Sequence, residues 1–177
     1  MDCSDQISFF QVFATLRVRE NMGDGHNFRQ LKEAILAHSQ AQDWEIARKE
    51  WSLVRVATAD EPETCPCGHF PILEICTIAN QITGHRIDVG NRCVKRFLGV
   101  RSDLIFAAIK RIQSNIEKSL NGDAIVFFHQ CGVLNNWEYS FLQDTMRLRQ
   151  LTLAQKVKRQ SINEKVIAAV AKRGFHG

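Results

Sequence analysis

Cys65, Cys67, Cys76 and Cys93 fall within the single stretch TCPCGHFPILEICTIANQITGHRIDVGNRCVKRFLG, which also carries His69 and His85. Thiolates and imidazoles gathered this closely are metal ligands in waiting, and their arrangement says how an ion would be held. Cys65 and Cys67 flank Pro66 and precede Gly68, a turn that bends the backbone so that both sulfurs can face one ion. Cys76 lies in a β-prone run. Cys93 follows Asn91, which reads as a helix N-cap, so its thiolate would gain from the free N–H groups and dipole of a helix start. Soft thiolates in tetrahedral array select Zn2+, which brings no redox chemistry of its own.

Four sulfurs, those of Cys65, Cys67, Cys76 and Cys93, make the simplest closed structural site. His69 is the substitute if the one-residue spacing keeps Cys65 and Cys67 from binding together; otherwise it is an exposed turn residue. His85, after Gly84 in a hairpin turn, reads as surface. A catalytic zinc would keep an open position beside an acid or base. Glu74 is the local carboxylate so spaced, on the Cys76 side of an alternating strand, but thiolate-rich coordination favours a structural ion. The remaining cysteines, Cys3 and Cys131, read as free thiols of a reducing compartment.

The elements that must position these ligands follow from patterning. Phe9, Phe10, Phe13 and Leu16 suggest a helix over 7–19, broken by Gly23, Asp24 and Gly25. A second helix over about 28–41 places Leu31, Ala34, Ile35 and His38 on one face, with His38 as a packing residue. A third starts near Asp43 and turns β-like in SLVRVAT, and an acidic turn, ADEPET, leads into the cysteine module. Inside it, ILEICTIAN and HRIDVG form a hairpin around Gln81–Gly84, and RCVKRFLG a helix closed by Gly99. Beyond lies an all-helical region. Ser102 caps a helix with the stripe Ile105, Ile109, Ile112, Ile116 and Leu120. A short helix spans 123–131, with His129 and Cys131 packing. Asn136 starts another, with Trp137, Phe141, Met146 and Leu148 inward. Thr152 and Gln155 form a capping box for a terminal helix over 153–173.

The fold class is therefore α+β: mostly helical with a small zinc-binding β-hairpin in the middle. The divisions are residues 1–57 (helical), 58–100 (hairpin and helix module) and 101–177 (helical with a basic end), joined in one unit. A knuckle, hairpin and short helix with ligands at knuckle and helix start resembles treble-clef zinc fingers. The chain departs from that pattern in its one-residue knuckle spacing, a ligand within the hairpin and a helix that supplies Cys93 alone.

Composition is that of a soluble globular protein, 45% hydrophobic and 24% charged over 177 residues. No run of eighteen apolar residues is present, so no membrane span is expected. Asp2 and Asp5 stand where a signal peptide wants positive charge, which points to a cytoplasmic location. Charge is uneven. Residues 1–64 hold 7 basic against 11 acidic side chains, a net −4, and residues 65–177 hold 16 against 8, a net +8. From Arg147 onward eight basic residues face only Glu164. Such a distribution suggests a polyanionic partner.

The stretches QAQDWEIARKEWSLVRV, the cysteine module and LTLAQKVKRQSINEKV together resemble a group of uncharacterised small proteins of bacteria, phages and mobile elements. They share the turn of Cys65, Cys67, Gly68 and His69, the Thr83–Gly84 turn, and Cys93 ahead of Phe97. The resemblance covers about residues 40–175 and implies no activity of its own. Small proteins of such origin often bind nucleic acid or disarm a host or defence enzyme.

P-loop, dinucleotide and serine-hydrolase motifs are absent. The leading expectation is a non-catalytic, zinc-stabilised nucleic-acid-binding protein of phage or mobile-element type. Arg86, Arg92, Lys95, Arg96 and Arg101 would meet phosphates, and Lys158, Lys165 and Lys172, seven apart on the last helix, would extend the contact. The alternative is a zinc-stapled inhibitor or adaptor that binds a host or defence protein, such as a phage anti-defence protein. A metal-dependent nuclease built on His85, Asp88 and Asn91 is a third.

Overall fold

Phe28, Leu31 and Ile35 recur at spacings of three and four, so a helix gathers them on one face. In the computed structural model, which describes residues 25–171, that helix is α1 (His26–Ala37), with Leu31 and Ile35 buried. The expected helix over 7–19, with Cys3, Lys172 and Arg173, lies outside the described residues. A single turn, α2 (Trp44–Ala47), is capped by Asp43, whose carboxylate accepts the Ile46 N–H. A 3-10 turn over Arg48–Glu50 then delivers the chain into β1 (Trp51–Glu63).

Glu50 locks this corner. Its carboxylate accepts the N–H groups of Gln40 (2.9 Å) and Ala41 (2.8 Å) and the Asn80 amide (2.7 Å), and its carbonyl accepts the Gln81 N–H (2.7 Å). The Asn80 amide leads the contacts that hold this buried carboxyl below the usual glutamate range, against the opposing effect of burial. His38, expected to pack, is instead exposed with its ring 4.9 Å from that of His85.

The three strands form an antiparallel sheet in the order β1-β2-β3, with β2 (Ile72–Asn80) central and β3 (Arg86–Gly90) returning from the hairpin. Gly84 sits in the turn at φ 75°, a left-handed conformation that favours glycine. The stretch expected as an acidic turn belongs to β1. The strand shifts register between Thr58 and Glu63 and then pairs Glu63 with Ile72. Pro62 is tolerated there because β1 is an edge strand with an irregularity, where a missing N–H need not break the ladder.

Gly90 precedes α3 (Asn91–Leu98), and Gly99 at φ 70° ends it. The helix α4 (Ser102–Ser114) stops earlier than its apolar stripe suggested. Asn115 leaves the helix at φ −155°, and its side chain accepts the Glu117 N–H, so the chain turns before Ile116. Leu120 is still buried, but from a loop. Then follow α5 (Gly122–Gln130), capped by Asn121, and α6 (Asn136–Thr145), opened by a capping box of Asn135 and Glu138. Last comes α7 (Leu153–Ala171), whose Thr152–Gln155 capping box is present in both directions.

The inward face of α6 differs from the expected one. Leu142, Glu138 and Thr145 are buried, whereas Trp137 and Leu148 point outward. Polar side chains can face the core here because each is bonded. Glu138 accepts the Asn135 N–H and an ion pair from Lys165, and Thr145 donates to the Phe141 carbonyl while its own carbonyl accepts buried Arg159. The buried cluster runs from Leu31 to Val170 through the sheet, α3, α4, α5 and α7. No helix among the described residues is long and apolar enough to cross a membrane.

Candidate metal centre

The knuckle between β1 and β2 is a tight turn. The Gly68 N–H donates to the Cys65 carbonyl (2.8 Å) and the Cys65 N–H to the His69 carbonyl (2.9 Å). Gly68 adopts φ 82°, and a β-carbon there would stand 2.6 Å from Gln30 Oε1. The third residue of α3, Cys93, comes up against this turn. The sulfurs of Cys65, Cys67 and Cys93 all lie within 4.8 Å of one another, and this group could hold a metal ion.

The spacing can be checked against an ion. A tetrahedral site with metal–sulfur distances of about 2.3 Å has sulfur–sulfur edges of about 3.8 Å. Cys65 and Cys93 stand 3.6 Å apart, close to such an edge and far from disulfide bonding at about 2.0 Å. Cys65 Sγ also accepts the Gly90 N–H at 3.3 Å. Hydrogen bonds of this kind orient a ligating sulfur and spread its charge.

The two facing thiols are joined by one hydrogen bond through a thiol proton, with the sulfurs 3.6 Å apart. The hydrogen bond with Cys93 holds Cys65 below the usual thiol range; burial opposes this, and the N–H groups of Gly90 and Cys67 add to it. The same bond, with burial and the charge on Cys65, pushes Cys93 up. A bound cation would replace that proton, since thiolates are the form that ligates.

The expected fourth sulfur stands apart. Cys76 lies in mid-strand between Val56 and Val89, fully buried, and outside the group of three. Burial pushes its thiol up to about 12, against a hydrogen bond with Ser102. The α3 start follows Gly90, which pairs with Ile75, so Cys76 is one pair away from that end of the hairpin, yet its sulfur is not one of the three within 4.8 Å of one another. His69 also falls outside the group, its side chain exposed while its carbonyl closes the knuckle.

Polar residues beside the centre are engaged with each other. Asn91 is the first residue of α3 rather than its cap, and Gly90 holds the cap position. Its amide donates to Glu74 (2.6 Å), and its side-chain oxygen accepts the Ser102 hydroxyl. Ser102 therefore spends its hydroxyl here rather than capping α4. Glu74 pairs in turn with Lys110 at 2.6 Å. The residues weighed for a nuclease are not gathered. Asp88 accepts Thr77 on one side of the sheet (2.6 Å), Asn91 meets Glu74 on the other, and His85 is exposed against His38.

Tertiary structure adds what the spacing could not show. The first turn of α1 docks on the knuckle, the Asn27 amide donating to the Cys67 carbonyl at 2.8 Å. Phe28 lies under the Arg96 guanidinium, 4.0 Å from its ring centre. Trp44 packs edge-on to Phe28 and against Phe97 of α3, at ring separations of 5.7 and 5.4 Å. These rings bind α1 and α2 to the helix that carries Cys93. Exposed Arg29 and half-buried Lys32 come with α1. The basic spacing of HNFRQLK is visible in the sequence, but its meeting with α3 is not.

The predicted basic residues divide into three places. Arg92, Lys95, Arg96 and Arg101 are exposed on α3 and just beyond it, with Lys95 paired to Asp103 at 2.9 Å. Arg86 projects from the opposite face of the sheet, since it pairs with Ala79 and so alternates with the Cys76 side. Lys158 stands 5.0 Å from the Trp137 ring, and Lys165 is held by Glu138 at 2.8 Å. His129 packs on Tyr139, ring centres 4.5 Å apart, and Cys131 is half-buried with its thiol pushed up to about 11 by burial.

Comparison of the chain with models of protein families, with characterised proteins and with solved structures finds no match.

Proposed function

We propose that this chain is a zinc-stabilised, non-catalytic nucleic-acid-binding protein, with Cys65, Cys67 and Cys93 supplying three of the four zinc ligands in a treble-clef-like module. The observation that carries the reading is the docking of α1 on the knuckle. It brings α1, which carries Arg29 and Lys32, against α3, which carries Arg92, Lys95 and Arg96 with Arg101 just beyond it, and both helices adjoin the thiol cluster. Zinc would act as a cross-link between the knuckle and α3, and the thiols imply a reducing, cytoplasmic setting. The guanidinium groups suit bidentate contacts with phosphate oxygens. The origin this reading favours is the phage or mobile-element group that the cysteine module resembles.

Salt dependence tests it. Four phosphate contacts give a slope of about −3.6 in log K against log salt, or a roughly hundredfold loss between about 50 and about 200 mM. Fluorescence anisotropy with mixed-sequence DNA and RNA, single- and double-stranded, should show this loss. The triple variant Arg92→Glu, Lys95→Glu, Arg96→Glu should abolish binding with metal content unchanged. Absence of binding at low salt would overturn the reading.

One observation favours a protein partner instead. Trp137 is 56% exposed although stacked on Phe141, and Leu153 and Val157, one turn apart on α7, are 80% and 57% exposed. In this second reading the chain is an inhibitor or adaptor. It would capture one host protein stoichiometrically, bind no nucleic acid, and lose its partner on Trp137→Ala.

A further inference from the structure

Thr77 follows Cys76 along β2, so its side chain lies on the face of the sheet turned away from α3 and the thiols. On that face Arg55 of β1 is paired with Thr77, and Arg86 of β3 with Ala79. Phe127 and Phe128 of α5, Val133 beyond it and Ala169 of α7 close over these strands, leaving a cleft of about 310 Å3. That volume is at the lower end for sites that enclose small molecules.

The lining has two parts of different chemistry. Phe127, Phe128 and Val133 give the cleft an apolar part, and Arg55 and Arg86 line it as well. Neither Arg55 nor Arg86 is in an ion pair with a described carboxylate. Asp88, two residues from Arg86 and hence on the same face, already accepts the Thr77 hydroxyl at 2.6 Å. Arg55 is moreover half-buried. A guanidinium stays charged in any protein environment, and partial burial strips part of its hydration, so an anion entering the cleft meets two arginines against the one carboxylate of Asp88, a net positive charge.

We propose that this cleft binds a small organic anion, a carboxylate or phosphate monoester on an apolar body. Arg55 and Arg86 take the anionic group, and Phe127, Phe128 and Val133 cover the rest. The site is independent of the nucleic-acid reading, because it faces away from α3 and would be retained if that reading failed.

Isothermal titration of the full-length protein with octanoate and with phenyl phosphate tests the proposal, with octanol as the uncharged control. One saturable site per chain is expected for at least one anion, and which of them binds separates carboxylate from phosphate. Arg86→Gln, at an exposed position that does not disturb packing, should weaken binding about tenfold, the loss of one charge-assisted bidentate contact. Arg55→Gln should do the same, and Ala169→Phe should abolish binding by filling the cleft, with the melting temperature of Arg86→Gln unchanged. Octanol binding as tightly as octanoate, affinities unmoved by both arginine variants, or no saturation by either anion at about 10 mM would overturn it.

Discussion

Removing one sulfur from the thiol cluster should have a size that the chain itself sets. Cys65 and Cys93 are 28 residues apart, and an ion held by both closes that segment into a loop. Treated as a cross-link, a loop of this length restricts the unfolded chain by about 12 cal/mol/K, or about 3.6 kcal/mol at room temperature. For a protein of this size one kcal/mol moves the melting temperature by about 2–4 °C, so Cys93→Ser should lower it by about 7–14 °C. Chelation of the wild-type protein should give the same drop, and the variant should be insensitive to chelator. Cys76→Ala supplies the control, since its sulfur lies outside the cluster: it should keep its metal and lose only packing. The assay is scanning calorimetry beside elemental analysis of protein purified without chelator. A melting temperature that chelator leaves unmoved, with less than about one-tenth of an equivalent of metal, would refute the cross-link. Loss of metal from Cys76→Ala equal to that from Cys93→Ser would refute the ligand set.

Three further outcomes are expected. Phe97→Ala, which empties a buried site between Trp44 and the sheet, should cost about 3–5 kcal/mol in chemical denaturation and loosen α1 from α3. Gly68→Ala should cost about 1 kcal/mol or more, because φ 82° disfavours a side chain and the methyl group would meet Gln30; metal affinity, measured by competition with a chelating dye, should fall with it. The third concerns acid. Burial opposes the charge on Glu138, but Lys165, the Asn135 N–H and the charge of Lys158 outweigh it and hold the carboxyl below its usual range. A carboxyl lowered in the folded state contributes stability fully above the unfolded value of about 4.3, and that contribution is lost as pH falls through the folded value. Urea unfolding followed from pH 6 to pH 3 should therefore show a steeper loss in wild type than in Glu138→Gln, and parallel curves would contradict the ion pair.

How legible the fold was depended on whether a position is governed locally. The hairpin could be read from ILEICTIAN and HRIDVG because Gly84 punctuates them, and the α3 end because Gly99 needs a left-handed backbone. The Thr152 and Gln155 side chains each accept the other's backbone N–H, so their box was visible in four residues. Long-range partners defeated the same logic elsewhere. Asn91 and Ser102 both read as caps, yet they bond each other, and Asn91 also donates to Glu74, 17 residues away. The acidic stretch after Ala59 read as a turn because Asp, Glu and Pro favour one, but pairing with Ile72 draws it into the sheet. On α6, an apolar-inward rule chose Trp137, whereas Glu138 is buried through Lys165, 27 residues away. The metal candidates divide in the same way. Cys65 and Cys67 share one turn and were legible as a pair. Whether Cys76 or Cys93 joins them is a question of strand register and helix docking, which spacing alone does not encode.

The three sulfurs of the cluster, and every strand of the sheet, are complete in the chain by Leu98. During translation the ribosome still has 73 residues to add before α7 ends at Ala171. At about 5–20 residues per second that interval lasts roughly 4–15 s, whereas a hairpin closes in microseconds. The thiols can therefore meet before α4, α5 and α7 arrive to cover the sheet. A cation captured at that moment would pin the hairpin's register while its faces are still bare, when an unpaired strand edge is most open to the wrong neighbour. Metal supply would then act on yield from the ribosome as well as on the melting of the finished protein.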